Sequence, residues 1–163
     1  MSTIVEVEEA LKARLSATIE GVPDLVRQMR KTDGTLEAVP VKIESYPKQP
    51  SEQLLLTLAE SGAVVFKYTG SKYSVRRDVG TVSVQDREMV YDVLIFSKSL
   101  QDRNSGSGIY ELLDLVALRL IGYKPSVCVD GVELLRDDCM EERKGAWTYG
   151  LLVSVKTQIV RVA

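Results

Sequence analysis

The sequence predicts an α+β fold, a mostly antiparallel sheet with helices packed on one face. Apolar residues recur at three- and four-residue steps in some segments, as in amphipathic helices, and alternate with polar residues in others, as in half-buried strands. The predicted order is helix, strand, helix, strand, excursion, strand, helix, strand, strand. A mostly antiparallel sheet covered by helices is the simplest architecture that satisfies this order. No linker or repeat divides the chain, so residues 1–163 are expected to form one domain.

The first predicted helix starts near Thr3, which forms a capping-box pattern with Glu6. Gly21 and Pro23 are expected to end it, since glycine permits a left-handed cap and proline cannot continue a helix. Its apolar stripe consists of Ile4, Val7, Leu11, Leu15 and Ile19.

Two further helices are predicted. Ser51 can cap a short one that ends at Gly62. The other begins at Ile109 and is stopped by Gly122 and Pro125. Its stripe is the clearest in the chain and consists of Leu112, Leu113, Val116, Ala117 and Leu120.

The strand pattern is interrupted by two polar segments. Residues 28–37 (QMRKTDGTLE) are predicted to form a loop, and residues 70–88 either a long excursion or a projecting hairpin. Pro40 places the first strand at a sheet edge or at a strand start. Strands are predicted at residues 39–44, 63–69, 89–96, 132–135 and 147–160.

Composition excludes several classes of function. The chain has no histidine, which removes the commonest general base and metal ligand. A net charge of −2 gives no overall basic field, so no sequence-specific nucleic-acid binding is expected. No apolar stretch approaches the roughly 18 residues that span a bilayer, and no secretory signal is apparent. Cys128 and Cys139 are expected to be reduced, buried and structural in a cytoplasmic setting.

Two short motifs are candidate chemical sites. Residues 105–108 (SGSG) precede a helix, where glycine-rich backbone can hold phosphate, but they lack the lysine of a P-loop and are better explained as a loop and cap. Glu142 and Lys144 have the spacing of metal-dependent nucleases, with Asp130 or Asp92 as the upstream acid. The charged stretch DDCMEERKG favours a solvated hairpin loop instead. No catalytic residue, cofactor or metal is therefore predicted.

Charge is distributed unevenly along the chain. Residues 67–87 hold five cationic against two acidic residues, a net of +3, and residues 130–144 hold six acidic against three cationic residues, a net of −3. Oppositely charged projecting segments allow copies of one chain to meet head to tail, although two ordinary solvated loops would show the same charges. The candidate interface residues are Arg76, Arg77, Asp78, Arg87, Asp137, Asp138, Glu141 and Glu142.

Several stretches carry a resemblance to a known family. They include the opening helix IVEVEEALKARL, the strand VPVKIESYP, and SGAVVFKYTGSKY with the excursion that follows it. The most specific stretch is YDVLIFSKSLQDRNSGSGIYELLDLVALRLIGYKP, and WTYGLLVSVKTQIV closes the chain. In these stretches the chain resembles the tail-terminator-like proteins of Mu-like contractile-tailed bacteriophages and prophages.

The resemblance implies a non-catalytic virion protein, assembled in the host bacterial cytoplasm and located in the virion tail. Six copies would form a ring at the head-proximal end of the tail. Its partners would be further copies of itself, the tail tube and sheath proteins, and a neck protein. A neck or head-to-tail joining protein is the alternative within this class, and a metal-dependent nuclease is the alternative from another class.

Overall fold

The computed structural model describes residues 2–47, 51–98 and 108–162. Within these ranges the chain forms three helices and eight strands. The helices are α1 (Thr3–Ser16), α2 (Glu52–Ser61) and α3 (Ile109–Leu120). The strands are β1 (Val26–Arg30), β2 (Leu36–Pro40), β3 (Lys42–Ser45), β4 (Ala63–Tyr73), β5 (Arg77–Val79), β6 (Val82–Ser97), β7 (Glu133–Arg143) and β8 (Ala146–Val162).

Six strands make the main sheet, in the order β3-β4-β6-β8-β7, with β5 paired to the start of β6. Only β3 and β4 run parallel, and the other pairs are antiparallel. β1 and β2 form a separate antiparallel hairpin. The predicted α+β class with a mostly antiparallel sheet is confirmed.

The central pair of the sheet is β6 with β8. Its register runs without a shift from the pair Val82 and Val162 to the pair Ser97 and Trp147. Both strands are far longer than the usual five or six residues. Every other strand of the main sheet except β3 is paired directly with one of these two, so the pair sets the positions of the rest.

The helices cover both faces of the sheet, which differs from the prediction of one face. On β4, Val64 and Phe66 face the large core formed with α1 and α3, whereas Ala63 and Val65 face a second cluster beneath α2. Four consecutive buried residues in a strand need cover on both sides, because successive side chains point to opposite faces. The continuous apolar run AVVF was the signal for this second layer.

At one end the sheet continues past its helical cover. The large core reaches Met89 on β6 and Val155 on β8. We define the distal arm as residues 74–88 together with residues 156–162. It consists of β5 and the adjoining parts of β6 and β8, so the polar excursion forms a hairpin rather than an irregular loop.

Helix α1 ends earlier than predicted. Ser2 is its N-cap, accepting a hydrogen bond from the amide of Ile4, and the last helical residue is Ser16 rather than one next to Gly21. The physical reason is a tertiary contact: the guanidinium of Arg119 donates to the carbonyl of Ala17 and, at 2.6 Å, to that of Pro23. These bonds hold the segment after α1 against α3 in a non-helical path.

The predicted loop at residues 28–37 is wrong, because its ends pair as β1 and β2. Asp33 accepts a 2.9 Å hydrogen bond from the amide of Thr35, and Gly34 has a φ of +86°. An Asp-Gly pair that permits positive φ is the usual signal of a tight hairpin turn. The single strand predicted at residues 39–44 is also divided, because Leu36–Pro40 pairs with β1 whereas Lys42–Ser45 pairs with β4.

The other predicted helices and strands are present. Ser51 caps α2 through a hydrogen bond from the amide of Leu54, and Gly62 ends that helix. Helix α3 begins at Ile109 as expected, with Gly108 as its N-cap. Residues 105–107 of the glycine-rich segment lie outside the described residues.

Replacing Arg119 tests the contact that ends α1. Arg119 is 1% exposed, and Arg119→Met leaves the carbonyls of Ala17 and Pro23 without their donor. We expect a loss of about 2–4 kcal/mol in the free energy of unfolding, since each buried unsatisfied group costs roughly 1–3 kcal/mol. Denaturant titration measures this loss. The matched control, Arg136→Met on the exposed strand β7, is expected to change stability little, and an equal loss in both variants would contradict the assignment.

Candidate interaction surfaces

The candidate cations of the distal arm are exposed and paired within the arm. Arg76 lies 3.2 Å from Asp78, and Arg77 lies 3.1 Å from Asp86. Asp86 also accepts a 3.0 Å hydrogen bond from the side chain of Gln158 on β8. These contacts tie β5, β6 and β8 together, and at least half of each arginine side chain remains accessible to a partner.

Arg87 has a different environment. Its guanidinium donates to the hydroxyls of Ser71, at 3.0 Å, and Tyr68, at 3.2 Å, and lies over the ring of Tyr73. Tyr68 in turn packs its ring 5.4 Å from that of Tyr91, which belongs to the core. The side chain of Arg87 therefore joins the base of the arm to the covered part of the sheet.

The candidate acids lie on an edge strand. The prediction of a solvated loop at DDCMEERKG is wrong up to Arg143, because β7 continues to that residue and only the turn follows. Charged residues are tolerated there because this stretch of β7 is exposed on both faces. Glu141 pairs with Arg143 at 2.9 Å, and Glu142 accepts a hydrogen bond from the amide of Gly145. Asp137 and Asp138 lie opposite Leu151 and Gly150 of β8.

The structure keeps the cationic and acidic candidates apart. β5 lies beside β6 at the level of residues 160–162 of β8, whereas the acids lie beside residues 147–151. About ten residues of extended strand, roughly 33 Å, separate the two levels. β5 and β7 also lie on opposite sides of the β6–β8 pair, and Arg87 lies on β6 itself. The two charged surfaces thus occupy diagonally opposite corners of one sheet.

Sequence reasoning did not identify Asp92 as a half-buried carboxylate beside β7. Burial is the largest cause that raises the pKa of the Asp92 carboxyl, and the negative charge of Asp138 raises this pKa further. Gly150 provides the space for it, since a Cβ there would lie 2.7 Å from an Asp92 carboxylate oxygen and 3.2 Å from the sulfur of Met140. A glycine inside an otherwise alternating strand was the available signal for this close approach.

The residues considered for a nuclease do not converge. Asp130 precedes β7 and Glu142 is near its far end, so most of an extended strand separates them. Asp92 lies opposite Leu152, five positions along β8 from the partner of Glu142, which is roughly 17 Å. In the described ranges, no group of three or more histidine, cysteine, aspartate or glutamate residues could hold a metal ion.

The two cysteines differ from each other. Cys128 is buried, as predicted, and burial raises the pKa of its thiol to about 11. Cys139 is exposed on β7, so the prediction that both are buried is wrong for this residue. None of the helices in the described part of the chain is both long and apolar enough to span a bilayer.

Fold and surfaces together define an α+β protein that presents an uncovered β arm and an acidic sheet edge. The sequence profile of the Gp37 protein family matches residues 35–163. The match covers most of the chain, so this protein belongs to the Gp37 protein family, which is phage-associated. Membership supports a phage structural or virion-related role. No curated protein matches the sequence.

The raised pKa of Asp92 predicts a pH-dependent cost in stability. Between the ordinary value of 3.8 and the raised value, the unfolded chain loses its proton while the folded chain keeps it, so stability falls as pH rises. We expect Asp92→Asn to raise the melting temperature relative to wild type at pH 7 and to have a smaller effect at pH 3. Thermal melts at both pH values measure this. The exposed Asp114→Asn is the control, and a gain of the same size for both variants, or at both pH values, would refute the account.

Proposed function

We propose that this chain is a structural virion protein, a tail terminator, whose copies close into a ring at the head-proximal end of a phage tail. The observation that carries the proposal is the diagonal placement of the cationic arm and the acidic edge. Surfaces of opposite charge at opposite corners cannot satisfy each other within one molecule. They can do so between neighbouring copies.

A contact between two different surfaces of identical subunits is heterologous, and such contacts repeat until a ring closes or a filament grows. A terminator requires the closed result, since its task is to stop growth. The resemblance to Mu-like tail terminators supports a ring of six. Membership of a phage-associated family supports a role in the virion.

The ring would act by contact and without catalysis. One of its faces would stop the tail tube and sheath, and the other would meet the neck protein. A neck or head-to-tail joining protein could use the same two surfaces. Binding of the purified ring to tail tube ends separates the two functions, because a terminator binds those ends in the absence of neck proteins.

A charge-swap experiment tests the contact between copies. One variant carries Arg76→Glu and Arg77→Glu, and a second carries Asp137→Lys and Asp138→Lys. Alone, each places like charges at the contact, so we expect at least about tenfold weaker assembly for each, measured by light scattering at low salt. Mixed in equal amounts, the two variants restore opposite charges at every contact of an alternating ring, and assembly is expected to return.

The control variant carries Lys31→Glu and Lys42→Glu. These exposed lysines are also ion-paired, with Glu37 and Glu44, and their reversal changes the net charge equally. It is expected to assemble like wild type. Assembly of both interface variants alone, or failure of the mixture with each variant folded, would reject the arm-to-edge contact.

A further inference from the structure

Among the described residues, no strand pairs with the outer edge of β8 along the distal arm. β7 pairs with β8 only as far as Ser154, and the carbonyl of Lys156 then accepts a 2.9 Å hydrogen bond from the amide of Val129. That bond shows that the backbone groups of Lys156 point away from β6. Because β8 stays in register with β6, the side to which the backbone amide and carbonyl of each β8 residue point alternates from one residue to the next. The outward-pointing backbone groups beyond it are those of Gln158, Val160 and Val162.

This open edge lacks the protection that sheet edges usually carry. Exposed edge strands avoid pairing with other chains through charges, prolines or bulges. Residues 157–162 (TQIVRV) contain one charge, Arg161, and no proline, and they pair with β6 without a bulge. Val160 is 55% exposed and Val162 71% exposed. Such a strand is a template for an additional strand.

The β7 edge, on the same side of the sheet but nearer the start of β8, is protected by charge. β7 holds five acidic against two cationic residues, a net of −3. The distal arm holds five cationic against three acidic residues, a net of +2. Acidic side chains oppose pairing with a neutral or acidic strand, and they favour a cationic one.

We propose that the open edge of β8 binds the β7 edge of a second copy of this chain, so that main-chain hydrogen bonds join the two sheets. The inference rests on the proposed self-assembly and specifies its bonding: the main-chain contact lies on the β8 side of the arm, and Arg76 and Arg77 on the β5 side attract the acidic edge across the width of the arm. The charges select the partner, and the amide and carbonyl groups of Gln158, Val160 and Val162 supply the pairing.

The dimensions of the two edges agree with this pairing. β7 has register shifts at Leu134/Arg136 and Cys139/Glu141, so residues 136–139 form an uninterrupted stretch with two acids. Four residues lie opposite two of the three outward groups, because three groups at alternate positions extend over five residues. Both edges lie on the same side of the sheet, at different levels along β8, so they cannot pair within one molecule and are available to a second copy.

A proline substitution tests the main-chain contact directly. The amide of Val160 points outward, so Val160→Pro removes one outward donor and leaves the β6 ladder intact. Val160→Thr keeps both the amide and the β-branched shape. We expect assembly to weaken about tenfold or more for the proline variant and less than about twofold for the threonine variant, measured by sedimentation velocity. Equal assembly of the two variants would overturn the proposal.

Exposed Cys139 on β7 provides a second readout that does not depend on how well the proline variant folds. Ile159→Cys and Val160→Cys place a thiol on either face of the open edge, and Val79→Cys places one on the opposite side of the arm. A disulfide requires Cα atoms about 4.4–6.8 Å apart. Under mild oxidation we expect a covalent dimer from at least one of the first two variants and none from Val79→Cys, and loss of that dimer in a Cys139→Ser background.

The outcomes separate this inference from the proposed function. A wild-type protein that stays monomeric rejects self-assembly and this pairing together. A wild-type protein that forms rings, with neither edge cysteine cross-linking to Cys139, rejects only the β8–β7 pairing. Rings that are lost with Val160→Pro and retained with Val160→Thr support both.

Discussion

The structure depends on the continuous antiparallel pairing of β6 with β8. This pair carries β4 and β5 on one side and β7 on the other, and its two faces seat α1, α3 and α2. Because the pair is longer than the helices can cover, one end of the sheet is left as the distal arm. The same unbroken register that organises the core therefore also creates the uncovered surface.

The two ends of this pair differ in chemistry. Near the start of β8, the edge strand β7 is acidic and exposed on both faces. Near its end, the arm is cationic, and its outer edge exposes Val160 and Val162 with Arg161 as the one charged residue of 157–162. Exposed ion pairs add little stability to a single chain, about 0–1 kcal/mol each, so this charge pattern contributes little to folding. Long-range complementarity of this kind governs which surfaces meet and how quickly.

Local patterns predicted most of the elements, and tertiary contacts account for the differences. The helical stripe after Ile109 and the alternation in β8 were sufficient to identify α3 and the longest strand. The end of α1 was not predictable, since it depends on hydrogen bonds from Arg119, a hundred residues away. β7 was recognised only at its start, because a strand exposed on both faces needs no apolar alternation and its ladder to β8 decides its conformation.

The candidate surfaces were only partly accessible from the sequence. Charge counts located both segments, yet they could not show that Arg76 and Arg77 are paired within the arm or that Arg87 binds Tyr68 and Ser71. The sequence also did not reveal the open edge of β8, because that edge exists only where β7 stops pairing with β8. Whether a strand has an open edge depends on which strands pair in the sheet, and no single sequence segment shows this.

We propose that the chain closes on itself through unlike, oppositely charged surfaces. The most direct measurement is the mass of the wild-type protein in solution at micromolar concentration, at low and at high salt. A closed ring predicts one species of about six 18.1 kDa chains at low salt, shifting towards smaller species as salt screens the contact. A mass of one chain under both conditions would contradict it.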